Sequence, residues 1–320
     1  MLKFEVIVDN FEEKCPTIFI LTYERTWHLT KTIKSLEKAQ GLKDFNILFL
    51  VQGKNEEILT ICHDFKVNRK SIYTVNPPDE WESFKKINAN MRTGLKISFE
   101  ILKSPWVVIL EEDIEIAPDA LDFFRLCEEQ FGEVENYRAT NSFSRMIFKE
   151  SGFGNQHYVR LNFGVGWGWA LNDRNYKAIS EIWTGFESEH WDGLLEPYFR
   201  TGFVVNPWLS RSLNRGLDGS GANTGIQDKL FYEIRKSFEQ NLNLNGPSLS
   251  LIENRALFDW RDDCYTLSCQ NKFKESLIYM LQRILFMLHT KHRKNNWSSL
   301  SKLLTISTVM FRLLIRRMVN

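Results

Sequence analysis

The sequence is short of the features that mark a disulfide scaffold, a zinc module or a membrane span. It has five cysteines, an odd number, and none stands in Cys-x-x-Cys spacing. Neither a disulfide framework nor a zinc site is indicated, and reduced thiols in a cytoplasmic protein are the simpler account. The histidines, His28, His63, His157, His190, His289 and His292, show no metal-ligand spacing. No uncharged apolar run reaches the roughly 18–20 residues that cross a bilayer. The segment Met1 to Asn10 carries Glu5 and Asp9, so it does not read as a signal peptide. Internal repeats and low-complexity tracts are absent. Cytoplasmic residence is the expectation.

Net charge is also nearly absent, at +1 over 320 residues. That balance hides a split. Residues 271–320 hold 10 Lys or Arg against one acid, Glu275, and the remainder of the chain carries a net −8. An acidic body argues against nucleic acid as the partner. The tail is different. Leu277, Ile278, Leu281, Ile284, Leu285 and Leu288 fall on one helical face. From Leu300 to Met318 a narrow polar stripe (Lys302, Thr305, Thr308, Arg312, Arg316) interrupts an apolar surface, and the linker 291–296 is basic. Two basic amphipathic helices suit an anionic membrane surface. Packing on the domain, or on a second copy of the chain as a homo-oligomer, is the alternative.

What is present in the first half is an alternation of strand and helix signals. Buried strands are expected at 17–21, 46–51, 71–75 and 106–110, with helices at 26–39, 55–65 and 84–102 between them. Further on, the pattern predicts a helix from Pro118 to about Gln130 and a strand near 138–141. A glycine-opened turn enters a strand at 164–171. Helices follow at 173–182, 191–199 and 226–238, with an extended segment at 203–205 and a Gly/Ser loop at 215–223. The fold class is α/β, a mostly parallel sheet flanked by helices, over residues 1–245. An irregular linker, 246–270, and the helical tail, 271–320, complete the expected organisation. Such sheets bind ligands beyond the C-terminal ends of their strands.

One of those ends carries Glu111-Glu112-Asp113. A carboxylate there can hold a hard divalent cation, with water and phosphate oxygens completing its shell. Clustered acids are also ordinary surface, so the triplet alone leaves both readings open.

The longer string decides between them. Val107-Val-Ile-Leu-Glu-Glu-Asp-Ile-Glu-Ile-Ala-Pro-Asp119 resembles the hallmark of the family 13 N-acetylglucosaminyltransferases, a hydrophobic strand followed by Glu-Asp-Asp-Leu-Glu-hydrophobic-Ala-Pro-Asp. Other blocks follow in the same order. Phe163-Gly-Val-Gly-Trp167 is similar to their Pro-Gly-Leu-Gly-Trp, His190-Trp-Asp192 to their Trp-Asp block, and Asn206-Pro-Trp-Leu-Ser-Arg211 to their Arg-Pro-Glu-hydrophobic-Ser-Arg. The similarity covers about residues 16–235.

The resemblance implies a GT-A fold and an inverting, metal-dependent transfer of a sugar, N-acetylglucosamine first, from a UDP-sugar to a glycan or lipid-linked acceptor. It places Mn2+ (or Mg2+) on Asp113, the donor ribose on Glu112 and the donor sugar near Glu111. Arg25 falls at the uracil-ribose end, Gly166 and Trp167 border the donor, and Asp192 is the catalytic base, with Glu189 nearby as a substitute. Two positions depart from the family. Gln52-Gly53 stands where an acid is usual near the uracil, and Asn90 replaces a histidine on the donor-side helix. Asp192 as a mere helix-start acid, and Trp167, Trp169 and Trp191 as core rather than sugar-stacking rings, are the structural alternatives. A sugar nucleotidyltransferase would need a glycine-rich loop after the first strand, and Thr22-Tyr-Glu-Arg-Thr26 has no glycine. An inactive membrane-bound scaffold would have lost the metal acid or the base, and both are present.

Deleting residues 271–320 is expected to release the protein from anionic vesicles in a flotation assay. Undiminished binding would assign the tail to packing or oligomerisation.

Overall fold

In a computed structural model the described residues are 2–144, 158–161, 165–187, 190–218 and 238–239. The chain divides into two units, Met1–Arg255 and Ala256–Asn320, and every described residue lies in the first. The expected tail helices, the linker 246–270 and most of the helix expected at 226–238 lie outside the described residues.

The strands are β1 (Phe4–Asn10), β2 (Thr17–Thr22), β3 (Asn46–Gln52), β4 (Lys70–Val75), β5 (Trp106–Glu111), β6 (Ile114–Ile116), β7 (Tyr137–Asn141), β8 (Tyr158–Leu161), β9 (Trp169–Asn172), β10 (Phe203–Pro207) and β11 (Ser212–Asn214). The helices are α1 (Thr26–Leu36), α2 (Glu56–Asp64), α3 (Ser83–Lys96), α4 (Ala120–Phe131), α5 (Asp173–Ile182) and α6 (Trp191–Phe199). Nine strands form one sheet in the order β1-β4-β3-β2-β5-β9-β7-β10-β8, and β6 pairs with β11 in a second, small sheet. The pairs β4/β3, β3/β2, β2/β5 and β7/β10 are parallel, and the remaining pairs of the main sheet are antiparallel.

The apolar runs explain the centre of this sheet. In β2, all six residues are buried. Ile18 and Ile20 enter the core on one face, and Phe19 and Leu21 enter the core on the other. In β5, Val108 and Leu110 join the first face, and Val107 and Ile109 the second. A strand buried on both faces needs helices on both. Residues Leu29, Ile33 and Leu36 of α1, Ile58 and Cys62 of α2, and Leu121 and Phe124 of α4 cover one side. Met91 and Leu95 of α3, Ile179 of α5, and Trp191, Leu195 and Phe199 of α6 cover the other. Each such side chain contributes about 1.5–3 kcal/mol on burial.

Two local features depart from expectation, and a third bears on the alternatives left open for the tryptophans. Residues 4–10, not read as a strand, form β1 on the outer edge of β4. Its charged residues suit an edge, because Glu5 is exposed there and Asp9 accepts from Tyr73 Oη at 3.0 Å. The helix expected over 84–102 is α-helical only to Lys96 and widens into a π turn over Ile97–Ile101. Ser98 Oγ donates to the Gly94 carbonyl at 2.9 Å there, a side-chain bond that competes with the regular ladder. Trp169 and Trp191 are buried and stacked on one another, with ring centroids 5.3 Å apart, so both belong to the core and neither offers a face to a sugar.

Helix α3 crosses β2 at a glycine. A Cβ on Gly94 would stand 2.0 Å from Cζ of the buried Phe19 ring. Gly94→Ala therefore forces a rigid ring to move, costing about 1–3 kcal/mol against a helix-propensity gain of about 1. A lowered thermal midpoint, partly recovered by adding Phe19→Leu, is the expected result of melting both variants.

Candidate active site

The sheet order reverses at β2, with β3 on one side and β5 on the other, so the loops after β2 and β5 leave side by side. Parallel pairing sets Leu21 opposite Glu111. The next residues of each strand thus meet beyond the sheet, in the crevice where doubly wound sheets take ligands.

Arg25 joins the two loops. Its Nε donates to Glu112 Oε1 at 2.6 Å, and its Nη1 lies 2.9 Å from Asp113 Oδ2. Glu112 is almost fully buried. Its Oε2 accepts from the Tyr23 backbone N–H at 2.6 Å, and its carbonyl accepts from Thr32 Oγ1 at 2.7 Å. Both carboxylate oxygens of Glu112 are therefore engaged in holding the β2–α1 loop. The sequence reading missed this work, since it depends on two loops distant in the chain.

Asp113 is enclosed more completely. Its backbone carbonyl accepts from Arg215 N–H at 2.8 Å. Strand β11 pairs with β6, setting Asn214 opposite Ile114, and carries the chain back over the acid. At the following Gly216, a Cβ would lie 2.3 Å from Asp113 Oδ2, so a side chain there would push the carboxylate aside. Asp113 is 5% exposed, and its Oδ1 is buried with no hydrogen-bond partner. A buried, unpaired carboxylate oxygen is costly and calls for a ligand. A divalent cation fits that requirement chemically. Among the described residues, no group of three or more His, Cys, Asp or Glu could chelate a metal. One carboxylate plus phosphate and water oxygens is the way Mg2+-type ions sit on nucleotides.

Glu111 ends β5. Burial pushes its carboxyl up to about 7, the Asp113 charge adds to that, and His190 and Arg25 oppose it. The turn that carries Gly166 and Trp167 lies over the same strand end. Gly166 N–H donates to Asn141 Oδ1 at 3.2 Å, and the space around its Cα is open. Trp167 adopts a φ of 50°, strained for a non-glycine residue. Its carbonyl accepts from Ser212 Oγ at 2.6 Å, and its ring rests on Phe143 with centroids 4.6 Å apart. Gly168 then packs against Ile114 and Leu110, both within 3.4 Å of a hypothetical Cβ.

The two departures at the end of β3 and on α3 prove to be neighbours. Asn90 Nδ2 donates to Gln52 Oε1 at 2.6 Å, and Asn90 Oδ1 is buried without a partner. A neutral amide pair thus stands where the resemblance led to an acid and a histidine. Asp192 lies in the first turn of α6, exposed, with His190 Nδ1 2.7 Å from its Oδ1. The N-cap position belongs to His190, so Asp192 does not cap the helix in the strict sense. Glu189 and the loop beyond Asp218 lie outside the described residues.

A model described as GNT-I family matches residues 6–252. The chain is 28% identical over 143 residues to an alpha-1,3-mannosyl-glycoprotein 2-beta-N-acetylglucosaminyltransferase of Arabidopsis thaliana, a match covering 45% of this chain and 32% of that protein. It thus spans about a third of the length of that relative. Solved structures similar to it include S. aureus TarS 1–349, at 12% identity and a TM-score of 0.47 over 84% of this chain and 80% of that one. Another is the galactosyltransferase LgtC in complex with donor and acceptor sugar analogues, at 12% identity and a TM-score of 0.39 over 73% of this chain and 85% of that one.

The raised Glu111 carboxyl has a testable sign. Below about pH 4.5 the group is protonated in both folded and unfolded chains, and burial costs nothing extra. As pH rises towards 7, the unfolded chain ionises first, so stability contributed by the neutral buried form is lost. Glu111→Gln is expected to raise the thermal midpoint by a few degrees near about pH 8 and to leave it unchanged near about pH 4. An equal effect at both would show that Glu111 ionises normally.

Proposed function

This chain belongs to the GNT-I family of glycosyltransferases, and we propose that it moves a sugar, N-acetylglucosamine before other hexoses, from a UDP-sugar to a hydroxyl of a glycan or lipid-linked acceptor, with inversion. The observation that carries this reading is the Asp113 carboxylate, buried at the C-terminal end of β5 with Oδ1 unpaired. Asp113 is the residue that would hold Mn2+ or Mg2+. A cation there would supply positive charge against the leaving diphosphate.

The chain's own residues divide the remaining work. Arg25, fixed by Glu112 and Asp113, positions the loop at the nucleoside end of the donor. Glu112 serves through Arg25 and Tyr23, and a ribose contact would have to share its oxygens. Glu111, with a carboxyl able to be neutral near pH 7, suits hydrogen-bond donation to the donor sugar. The amides of Gln52 and Asn90 would face the base with neutral donors and acceptors in place of the family's acid and histidine. The start of α6, with Asp192, supplies the proton acceptor on the acceptor side. An inert scaffold would have no need to bury an unpaired acid at this strand end.

The basic segment 271–320 fits a peripheral position on the cytoplasmic face of a membrane, beside a lipid-linked acceptor. This too is part of the proposal.

UDP release measured with Mn2+ across a series of donor sugars tests the reading. Turnover should be highest with UDP-N-acetylglucosamine and should vanish on chelation. Asp113→Asn should lower it about 100-fold or more while the circular dichroism spectrum is kept. Undiminished metal-dependent turnover in that variant would remove Asp113 from the metal site.

A further inference from the structure

The start of α3 and the loop before α6 carry aromatic rings at the surface. Helix α3 begins from the loop after β4, and α6 from the loop after α5, so both starts stand at the end of the sheet where β5 carries its acids. Phe84 is 38% exposed and Phe186 42%, and Trp81 is half-buried at the margin of the core. The Trp81 and Phe186 rings meet edge-on with centroids 5.7 Å apart, and Phe84 meets the His190 imidazole in the same manner at 5.4 Å. The two contacts join the same two segments in the same order, which makes the rings one patch. Its last member, His190, lies with Nδ1 2.7 Å from Asp192 Oδ1. The patch therefore begins beside the carboxylate read above as the proton acceptor and leads away from it along α3. Adjoining exposed apolar side chains mark a binding surface.

Phe186 is not exposed through slack. Glu187 folds its carboxylate back onto the turn: Oε1 accepts from the Thr184 N–H and from Thr184 Oγ1, both at 2.8 Å, and Oε2 accepts from the Gly185 N–H at 2.9 Å. The Glu187 carbonyl accepts from Asn88 Nδ2 of α3 at 2.8 Å, and the Trp183 carbonyl accepts from Arg92 Nε at 3.0 Å. Gly185 has a φ of 85° and lies so close to α3 that a Cβ would stand 2.7 Å from Arg92 Cβ. The turn 183–187 is thus tied to α3 on both sides of Phe186. A surface ring fixed by polar bonds around it, rather than by its own burial, loses little freedom when a ligand settles on it.

We propose that Phe84 and Phe186, framed by Trp81, form a stacking subsite for an uncharged pyranose ring of the acceptor, next to the hydroxyl that meets Asp192. The inference rests on the transferase reading above and narrows its acceptor to a neutral glycan. A pyranose presents a face of C–H bonds, and those hydrogens are drawn to the negative face of an aromatic ring. Its hydroxyls stay in water at the rim, which a half-exposed platform allows. Charge points the same way. Lys85 Nζ is engaged over the Trp81 ring, 4.6 Å from its centroid, and Lys86 Nζ donates to the Asp79 carbonyl at 3.0 Å. These lysines are occupied by the protein itself, which suits a neutral sugar better than a phosphate or a carboxylate. An acyl chain would need a continuous apolar trough, and here the imidazole, Lys85 and the polar turn at Thr184 interrupt the apolar surface.

Saturation-transfer NMR on the full chain, with UDP and Mn2+ present, tests this against a panel of neutral methyl pyranosides and their disaccharides. At least one glycan should receive saturation chiefly through the C–H protons of one face. Phe84→Leu and Phe186→Leu keep apolar volume but remove the π face, and each should weaken that binding about five- to tenfold. Phe186→Tyr, which keeps a ring, should bind as the wild type does. In UDP release from UDP-N-acetylglucosamine, the leucine variants should raise the KM for that glycan more than the KM for the donor. Binding that survives both leucine variants overturns the proposal, and so does a panel in which no glycan binds. Loss of phosphatidylglycerol-vesicle binding in Phe186→Ser, or dissociation of a dimer in that variant, also overturns it and gives the rings to a membrane or to a second copy. A wild type that releases UDP while no glycan senses these rings overturns this proposal alone. A wild type that binds a glycan here and releases no UDP from any donor sugar overturns the transferase reading, and with it the role of that glycan as acceptor.

Discussion

The site depends on the parallel pairing of β2 with β5. Register places Leu21 opposite Glu111, so the last buried residue of one strand stands beside the first acid of the other. One step further, a cation of the loop after β2 faces the acids of the loop after β5 at bonding distance. The guanidinium of Arg25 then bridges Glu112 and Asp113. Burying these charges is expensive, and their attraction alone is a poor source of stability. The Tyr23 N–H and Thr32 Oγ1 supply further bonds to Glu112. What remains uncompensated is Asp113 Oδ1. The fold thus concentrates its hydrogen bonds on one acid and leaves one oxygen of its neighbour without a partner.

That asymmetry explains why three consecutive acids do not act alike. Glu111 is the last residue of the strand, and its carboxyl is held up by burial. Glu112 turns back towards α1, with each carboxylate oxygen accepting a hydrogen bond from the loop after β2. Asp113 points under the β6–β11 pair, and Gly216 closes over it without a side chain to occupy the space. Glu112 and Asp113 form the turn between β5 and β6, so the three adjacent side chains meet different surroundings. A one-residue slip between β2 and β5 would exchange those surroundings.

Much of this was legible in the sequence, and the reasons are physical. Strands β2, β3 and β5 are buried on both faces, so they show as uninterrupted apolar runs bounded by polar turns. The acid cluster is legible because it follows such a run directly. Elements β6 and β11 are three residues each, too short for any period to show, and they pair only because distant parts of the chain return to one place. Strand β1 mixes charged and apolar residues as an edge does, which hides it. The ring stacking of Trp191 on Trp169 is likewise a tertiary fact, and spacing could not separate a core tryptophan from a sugar platform. Asn90 and Gln52 appear in the sequence as two unrelated departures. Only the packing of α3 against β3 makes them one hydrogen-bonded pair.

The two ends of the proposed site differ in solvation, and the difference suits the chemistry that the proposed function asks of each. At the strand end, Asp113 is screened from water, so a charge placed there acts through a low dielectric and holds its full strength. Neutralising a diphosphate profits from that. At the start of α6, Asp192 is more than half exposed and His190 partly so. A proton acceptor profits from such exposure, because it must reach an incoming hydroxyl and later return its proton to water. The core tryptophans Trp169 and Trp191 bind the two ends into one frame: Trp169 continues the sheet beside β5, and Trp191 opens α6. A stacked pair of rings therefore joins the sheet beside the strand end that carries Asp113 to the helix start that carries Asp192.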